Sequence, residues 1–365
     1  MALADTRFSN RRRALAAELA GQRIDALLVT NLLHVRYLTN FSGSNGALLL
    51  RKDAGADIAS DGRYATQIRH EVPDIEPVIT RSLITELLAL LDGDDYWRVG
   101  VEADHLSYNE YQRLQKAAPE RVTLVPLSGV VEKGRLVKDE TELEVLTEVA
   151  RIANDAFDEL VAAGEIRAGR TEREVAADLE YRMRVKGSDG ESFDTIVASG
   201  PNSSRPHHGV SDRRIGDGEL VTLDFGAIID GYNSDMTRTV AVGEPGEKAR
   251  EIYNVVLESQ LAGVAAATAG TALADVDAAC RDVINKAGYG DYFVHSTGHG
   301  VGIDVHEGPA AARTGKGELA PGMTLTIEPG IYLPGEFGVR IEDTLIITDG
   351  APQIITPTSK ELRVL

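Results

Sequence analysis

Residues 220–238 read LVTLDFGAIIDGYNSDMTR, and the fold is read outward from them. An aspartate, Asp224, interrupts an apolar run rich in strand-forming residues. A carboxylate withdrawn from water without a partner is costly, so a cation belongs near it. Asp230 and Gly231 form a strong two-residue hairpin signal. With that turn, Asp224 faces Thr237 across the hairpin. Side chains alternate along a strand and facing residues share a face, which puts Asp235 on the same face as Asp224, one diagonal step away. Two carboxylates at that spacing repel unless a cation lies between them. The alternative is one aspartate in a salt bridge and the other at the surface, and a bulge at the turn would shift the register.

Two further stretches repeat this logic. Residues 295–307, HSTGHGVGIDVHE, hold His295, His299 and His306, and five of the eight histidines fall between residues 207 and 306. Glycines around His299 let backbone approach closely and leave room for a ligand. Neutral imidazole is a common ligand for borderline metals. Residues 324–343, TLTIEPGIYLPGEFGVRIED, read as two strands, 324–332 and 339–347, joined by a turn at 334–338. Each is interrupted by an acid, Glu328 and Glu342. Taken singly, such histidines are more often structural; for the glutamates, exposure on an alternating strand is the less favoured alternative. Together they make four carboxylates and one imidazole, more acid than one ion needs. Two divalent ions nearly balance four carboxylates and a hydroxide; they deprotonate a water and polarise a carbonyl, which is hydrolase chemistry. The donor set suits Mn, Co or Zn. The Asp-Phe-Gly triplet at 224–226 also occurs in protein kinases, but the glycine-rich strand and upstream His-Arg-Asp that a kinase needs are absent.

The rest of the chain is organised around this core. Its 365 residues suit two domains. The first third alternates strand-like runs (24–30, 46–50, 97–102) with helix-like ones (8–20 and the stretch after Asp61-Gly62-Arg63-Tyr64), which predicts an α/β layer domain over 1–135, ending in the polar segment 132–138. Residues 136–365 read as α+β. Apolar steps of three and four from Leu143 to Leu160 predict a helix over 141–163. Thr171 with Glu174 is a capping-box signal for a second helix running to about 186. Two more helices are expected at 247–268 and 273–287. Acids outnumber bases by 57 to 38, a formal charge of −19, which disfavours nucleic acid as a partner. The single cysteine, Cys280, lies in a helical pattern and is expected in the core, with no oxidising compartment implied. The N-terminus, MALADTRFSNRRRALAAELAG, has no signal-peptide pattern, and no apolar run is long enough to span a bilayer, so a cytoplasmic protein is expected.

These motifs, in this order, resemble the pita-bread metallopeptidases: methionine aminopeptidase, aminopeptidase P and prolidase. Asn31, Tyr37-Leu38-Thr39, Phe41-Ser42-Gly43 and Asp61-Gly62-Arg63-Tyr64 resemble segments of the creatinase-like N-terminal domain of the Xaa-Pro members. Methionine aminopeptidases lack that domain, and creatinase lacks the metal ligands. The resemblance implies an Xaa-Pro metallopeptidase with two divalent ions per subunit, manganese favoured. Asp224 would chelate one ion, His299 and Glu328 the other, and Asp235 and Glu342 would bridge both. Glu328 would carry a proton from the bridging hydroxide to the proline nitrogen, His306 would stabilise the oxyanion, His295 would line the site and Arg340 would steady an acidic ligand. His207, in PNSSRPHH at 201–208, aligns with a substrate-contacting histidine, while His208 stands where the family has a small residue. A homodimer, with the N-terminal domain near the partner's site, is also implied. The substrate is a dipeptide, the favoured reading, or a longer peptide cut by an aminopeptidase P activity. Arg313 is a candidate clamp for the proline carboxylate; some prolidases place an arginine where this chain has Ala310. A non-catalytic peptide-binding protein on the same fold is the remaining alternative, though such relatives typically lose ligands that are all present here.

Overall fold

The computed structural model describes residues 6–91 and 95–365. The first five residues of the N-terminal stretch and residues 92–94 of the 1–135 range lie outside it. The chain divides into two compact units, Met1–Gly134 and Arg135–Leu365.

The first unit is built on a six-stranded sheet in the order Val78–Ile79, Ala56–Ser60, Gly46–Arg51, Ala26–Val29, Trp97–Glu102, Val122–Leu127. The sheet is mixed: Ala26–Val29 runs antiparallel to Gly46–Arg51 and parallel to Trp97–Glu102. The run Ala26–Val29 is buried throughout, as a central strand covered on both faces requires. One side of the sheet packs Leu28, Leu49 and Val99 against Leu87, Leu88 and Leu91 from the helical segment after Ser82. The helix expected at the N-terminus is Arg7–Gly21.

In the second unit, helices Glu140–Ala162 and Glu172–Val185 begin with complete capping boxes at Asp139/Glu142 and Thr171/Glu174. Each box satisfies backbone N–H groups that a helix start leaves open. Their apolar faces (Val149, Phe157, Leu160, Val175, Leu179) pack on Val197, Leu223, Phe225 and Val240 of the sheet Ile196–Ser199, Glu219–Phe225 and Met236–Val242. A second helix pair, Glu247–Ala266 and Leu273–Lys286, buries Ile252, Val256, Val276 and Cys280 against Leu325, Ile327, Ile331, Val339 and Leu345. Each such side chain contributes about 1.5–3 kcal/mol of burial free energy. Cys280 is in the core as expected, with its thiol pushed up to about 12 by burial.

The predicted hairpin register is the observed one: Thr237 faces Asp224, Met236 faces Phe225 and Ile229 faces Tyr232. Asp230 and Gly231 both take positive φ, as a tight mirror-image turn requires. The expected long strands, however, are each broken. Glu219–Phe225 stops before Gly226, and pairing resumes in Ala227–Ile229. The span 324–332 splits into Thr324–Ile327 and Gly330–Leu333, and 339–347 into Phe337–Arg340 and Asp343–Ile346. Pro329 follows one break, where it removes a ladder N–H. The segment 132–138 also differs from a solvated linker: Arg135 and Lys138 are buried and ion-paired with Glu307.

Candidate active site

Three of the four acids sit at strand breaks, and Asp224 lies inside Glu219–Phe225, two residues before one. Asp235 immediately precedes Met236–Val242, Glu328 follows Thr324–Ile327, and Glu342 lies between Phe337–Arg340 and Asp343–Ile346. A residue at a ladder break is freed from the strict alternation of a pleated strand, so its side chain is re-aimed while the flanking strands hold its backbone. Glu328 N–H still donates to Thr297 O (2.8 Å), Glu342 N–H to Thr237 O (3.1 Å), and Thr344 Oγ1 to Asp235 O (2.7 Å). His299 sits on the short strand Gly298–Gly300, its N–H held by Thr326 Oγ1 at 3.0 Å. A Cβ at Gly298 would fall 1.8 Å from Thr326 O, so glycine permits this approach.

Nine of the residues singled out in the sequence line one cavity of about 560 Å³: Asp224, Asp235, His299, Glu328 and Glu342, with His207, His295, His306 and Arg340. Asp235 and Glu342 are only 5 % and 1 % exposed. His299 donates from Nδ1 to Gly300 O at 3.0 Å, which leaves Nε2 facing the acids. That nitrogen is 3.5 Å from Asp235 Oδ2 and 3.4 Å from Glu328 Oε1. Donor atoms of Asp235, His299 and Glu342 all lie within 4.8 Å of one another, a spacing one cation can span.

The protein supplies one cationic side chain to this cavity lining, Arg340. It donates to Asp224 Oδ2 (2.6 Å), Tyr332 Oη (2.8 Å) and Thr237 Oγ1 (3.0 Å). Burial opposes its charge, but Tyr332, Asp224 and Glu328 hold it protonated. One guanidinium does not balance four carboxylates. Accordingly, burial and then repulsion from Glu342, Asp224 and Glu328 push Asp235 well above the ordinary carboxylate range. Glu342 is raised by burial and by Glu328 and Asp224, and Glu328 is pushed up to about 8, chiefly by burial. Asp224 Oδ1 is buried with no hydrogen-bond partner among the described residues. An orphaned carboxylate oxygen, an inward imidazole nitrogen and clustered acids fit divalent cations bound by oxygen and nitrogen donors.

The histidines differ in what holds them. His295 donates from Nδ1 to Ser296 O (2.8 Å), and Tyr332 Oη–H donates to its Nε2 (2.9 Å) while itself accepting from Arg340. Burial, then the Arg340 charge, lower His295 to about 4. His306 packs against His299 with ring centroids 4.5 Å apart and is lowered by burial and by His299. His207 is exposed, whereas His208 is buried and bonded to Glu172.

Residues 144–349 match metallopeptidase family M24, and residues 11–137 match the creatinase/prolidase N-terminal domain. The chain belongs to metallopeptidase family M24. An Xaa-Pro dipeptidase of Pyrococcus furiosus is 37 % identical over 93 % of this chain and 95 % of its own. The solved structure of an Xaa-Pro dipeptidase from Bacillus anthracis superposes with a TM-score of 0.92 at 42 % identity, covering 98 % of this chain and 100 % of the other. That of an X-Pro aminopeptidase from Thermotoga maritima superposes at 0.89 and 34 %, covering 97 % and 99 %. The architecture of this M24 chain is the α+β pita-bread fold expected from the sequence.

Sequence reasoning missed three things in this M24 site. Arg313 is exposed and does not line the cavity. Asp277 and Arg281 brace the histidine segment: Asp277 Oδ1 accepts from Thr297 N–H and Oγ1–H, and Arg281 donates to the carbonyls of Phe293 and His295. Their spacing of four on a predicted helix was the available signal. Glu172 was read only as part of a helix start. Among the described residues, no helix is long and apolar enough to cross a membrane.

Proposed function

We propose that this chain hydrolyses the bond before proline in Xaa-Pro dipeptides, with two divalent ions, manganese favoured, held by Asp224, Asp235, His299, Glu328 and Glu342. One observation carries the reading. His299 Nε2 faces carboxylate oxygens of Asp235 and Glu328 at 3.5 and 3.4 Å, and four carboxylates converge on a cavity lined by one guanidinium, a surplus of acid that divalent cations would balance. When bound, the ions supply an activated water and a Lewis-acid contact to the scissile carbonyl.

The chain's own residues do the rest. Glu328 takes the proton of the attacking water and delivers it to the departing proline nitrogen. His306 donates to the oxygen on which charge develops. Arg340 holds Asp224 in place, and burial, then the Arg340 charge, keep His295 neutral. His207 stands free on the wall to contact substrate. The Xaa-Pro bond has no N–H, so recognition relies on an accessible carbonyl instead.

Dipeptidase activity is favoured because relatives named Xaa-Pro dipeptidase match nearly the whole chain. An aminopeptidase P activity is the second reading, favoured by the exposed position of Arg313, which leaves the cavity lining without an uncommitted arginine. A homodimer in the cytoplasm is part of the proposal. Metal-stripped protein, supplied in turn with Mn, Co and Zn, is assayed on Ala-Pro and Ala-Pro-Ala. Faster turnover of Ala-Pro is expected. Cleavage of the tripeptide alone would establish the aminopeptidase reading, and turnover of neither would remove both.

A further inference from the structure

Glu172 opens the helix Glu172–Val185 and is 0 % exposed, and among the described residues no lysine or arginine bonds its carboxylate. Its two oxygens instead collect the segment 199–211. Oε1 accepts from Ser199 N–H (2.8 Å), Ser199 Oγ (2.8 Å) and Asn202 Nδ2 (2.9 Å). Oε2 accepts from His208 Nε2 (2.8 Å), Ser211 Oγ (2.5 Å) and Ser211 N–H (3.2 Å). Burial alone would raise this carboxyl, but the bonds from Ser211, Ser199, Asn202 and His208 outweigh it and hold the group ionised. The same segment forms one wall of the active-site cavity through Pro206, His207, His208 and Gly209. Arg340 touches it from the other side, donating to Pro206 O at 3.3 Å.

We propose that Glu172 is a positioning residue for substrate binding: through His208 it fixes the cavity wall at 206–209, and so sets where His207 meets the peptide. The bond also fixes the His208 tautomer, because Nε2–H must be the donor to a carboxylate. This inference rests on the peptidase reading above only for its kinetic test.

Two measurements on the full-length chain test it. In manganese-loaded enzyme acting on Ala-Pro, Glu172→Gln and His208→Ala should each raise KM by about tenfold, the loss of a charge-assisted contact, with kcat within about twofold. The double variant should be no worse than the poorer single one, because both changes cut the same link. His208→Gln keeps an N–H donor and should return KM toward wild type. Wild-type KM in His208→Ala, or effects that multiply in the double variant, would overturn the proposal. The second measurement needs no substrate: amide exchange at 205–211 should accelerate in Glu172→Gln and in His208→Ala while the exchange of 219–225 does not. Unchanged protection at 205–211 would overturn it even if the chain proved not to cleave Ala-Pro.

Discussion

Asp235 shows how one residue's burial becomes chemistry. The carboxylate is 5 % exposed, has no lysine or arginine bonded to it, and is driven toward its protonated form by burial and by three neighbouring acids. A core optimised for stability alone would not keep such a group. Asp235→Asn removes the charge and little volume. The variant should stay folded, with a metal-free Tm equal to or above wild type, while metal binding and turnover fall by at least about a hundredfold. Thermal melts with and without manganese, beside Ala-Pro turnover, measure both; retained turnover would refute its place in the centre. This residue was legible because the Asp230-Gly231 turn sets a register that puts it beside Asp224, an acid that interrupts an apolar strand pattern, and such local breaks mark functional positions. Glu172 was not legible: an acid in a helix's first turn is what any helix start favours, and its six donors are spread over a loop without periodicity.

At the scale of the element, the sequence specified pairing better than continuity. The Asp230-Gly231 turn gave the register from Tyr232 to Val242, and the observed partners follow it without a slip. What remained hidden was that each long strand changes sheets at its acid or within two residues of it. Gly226 marks one such point: a Cβ there would lie 1.8 Å from Ser234 O. Gly226→Ala must therefore push the two strands apart beside Asp224 and Asp235. We expect a cost of about 3 kcal/mol, roughly 6–12 °C in Tm, together with weakened metal binding. A Tm equal to wild type would show that the approach is not constraining. Apolar patterning reports which face is buried, but a break within a buried run leaves both halves equally apolar, so only Pro329 hinted at it.

Across the whole molecule, the cavity makes stability depend on pH and metal together. In stripped protein, Asp235, Glu328 and Glu342 have folded-state pKa values raised above the unfolded ones. The native state then binds more protons than the unfolded state, so stability falls as pH rises from the ordinary carboxylate range through about 8, the value for Glu328. Divalent cations reverse this by favouring the ionised acids. At a hundredfold excess over Kd the gain is about 2.7 kcal/mol, or roughly 5–10 °C. Melts of stripped protein between pH 5 and about pH 8.5 should decline, and added manganese should flatten or invert the trend. A stripped protein that grows more stable over that range would contradict the assigned shifts.

Whether cations join the five side chains decides what this cavity does. Crystals grown with saturating manganese, measured at the metal's absorption edge, test this directly. Anomalous density is predicted at two positions in the cavity, with Asp224, Asp235, His299, Glu328 and Glu342 as ligands. Density confined to other sites, or an empty cavity with these side chains in ion pairs of their own, would contradict it.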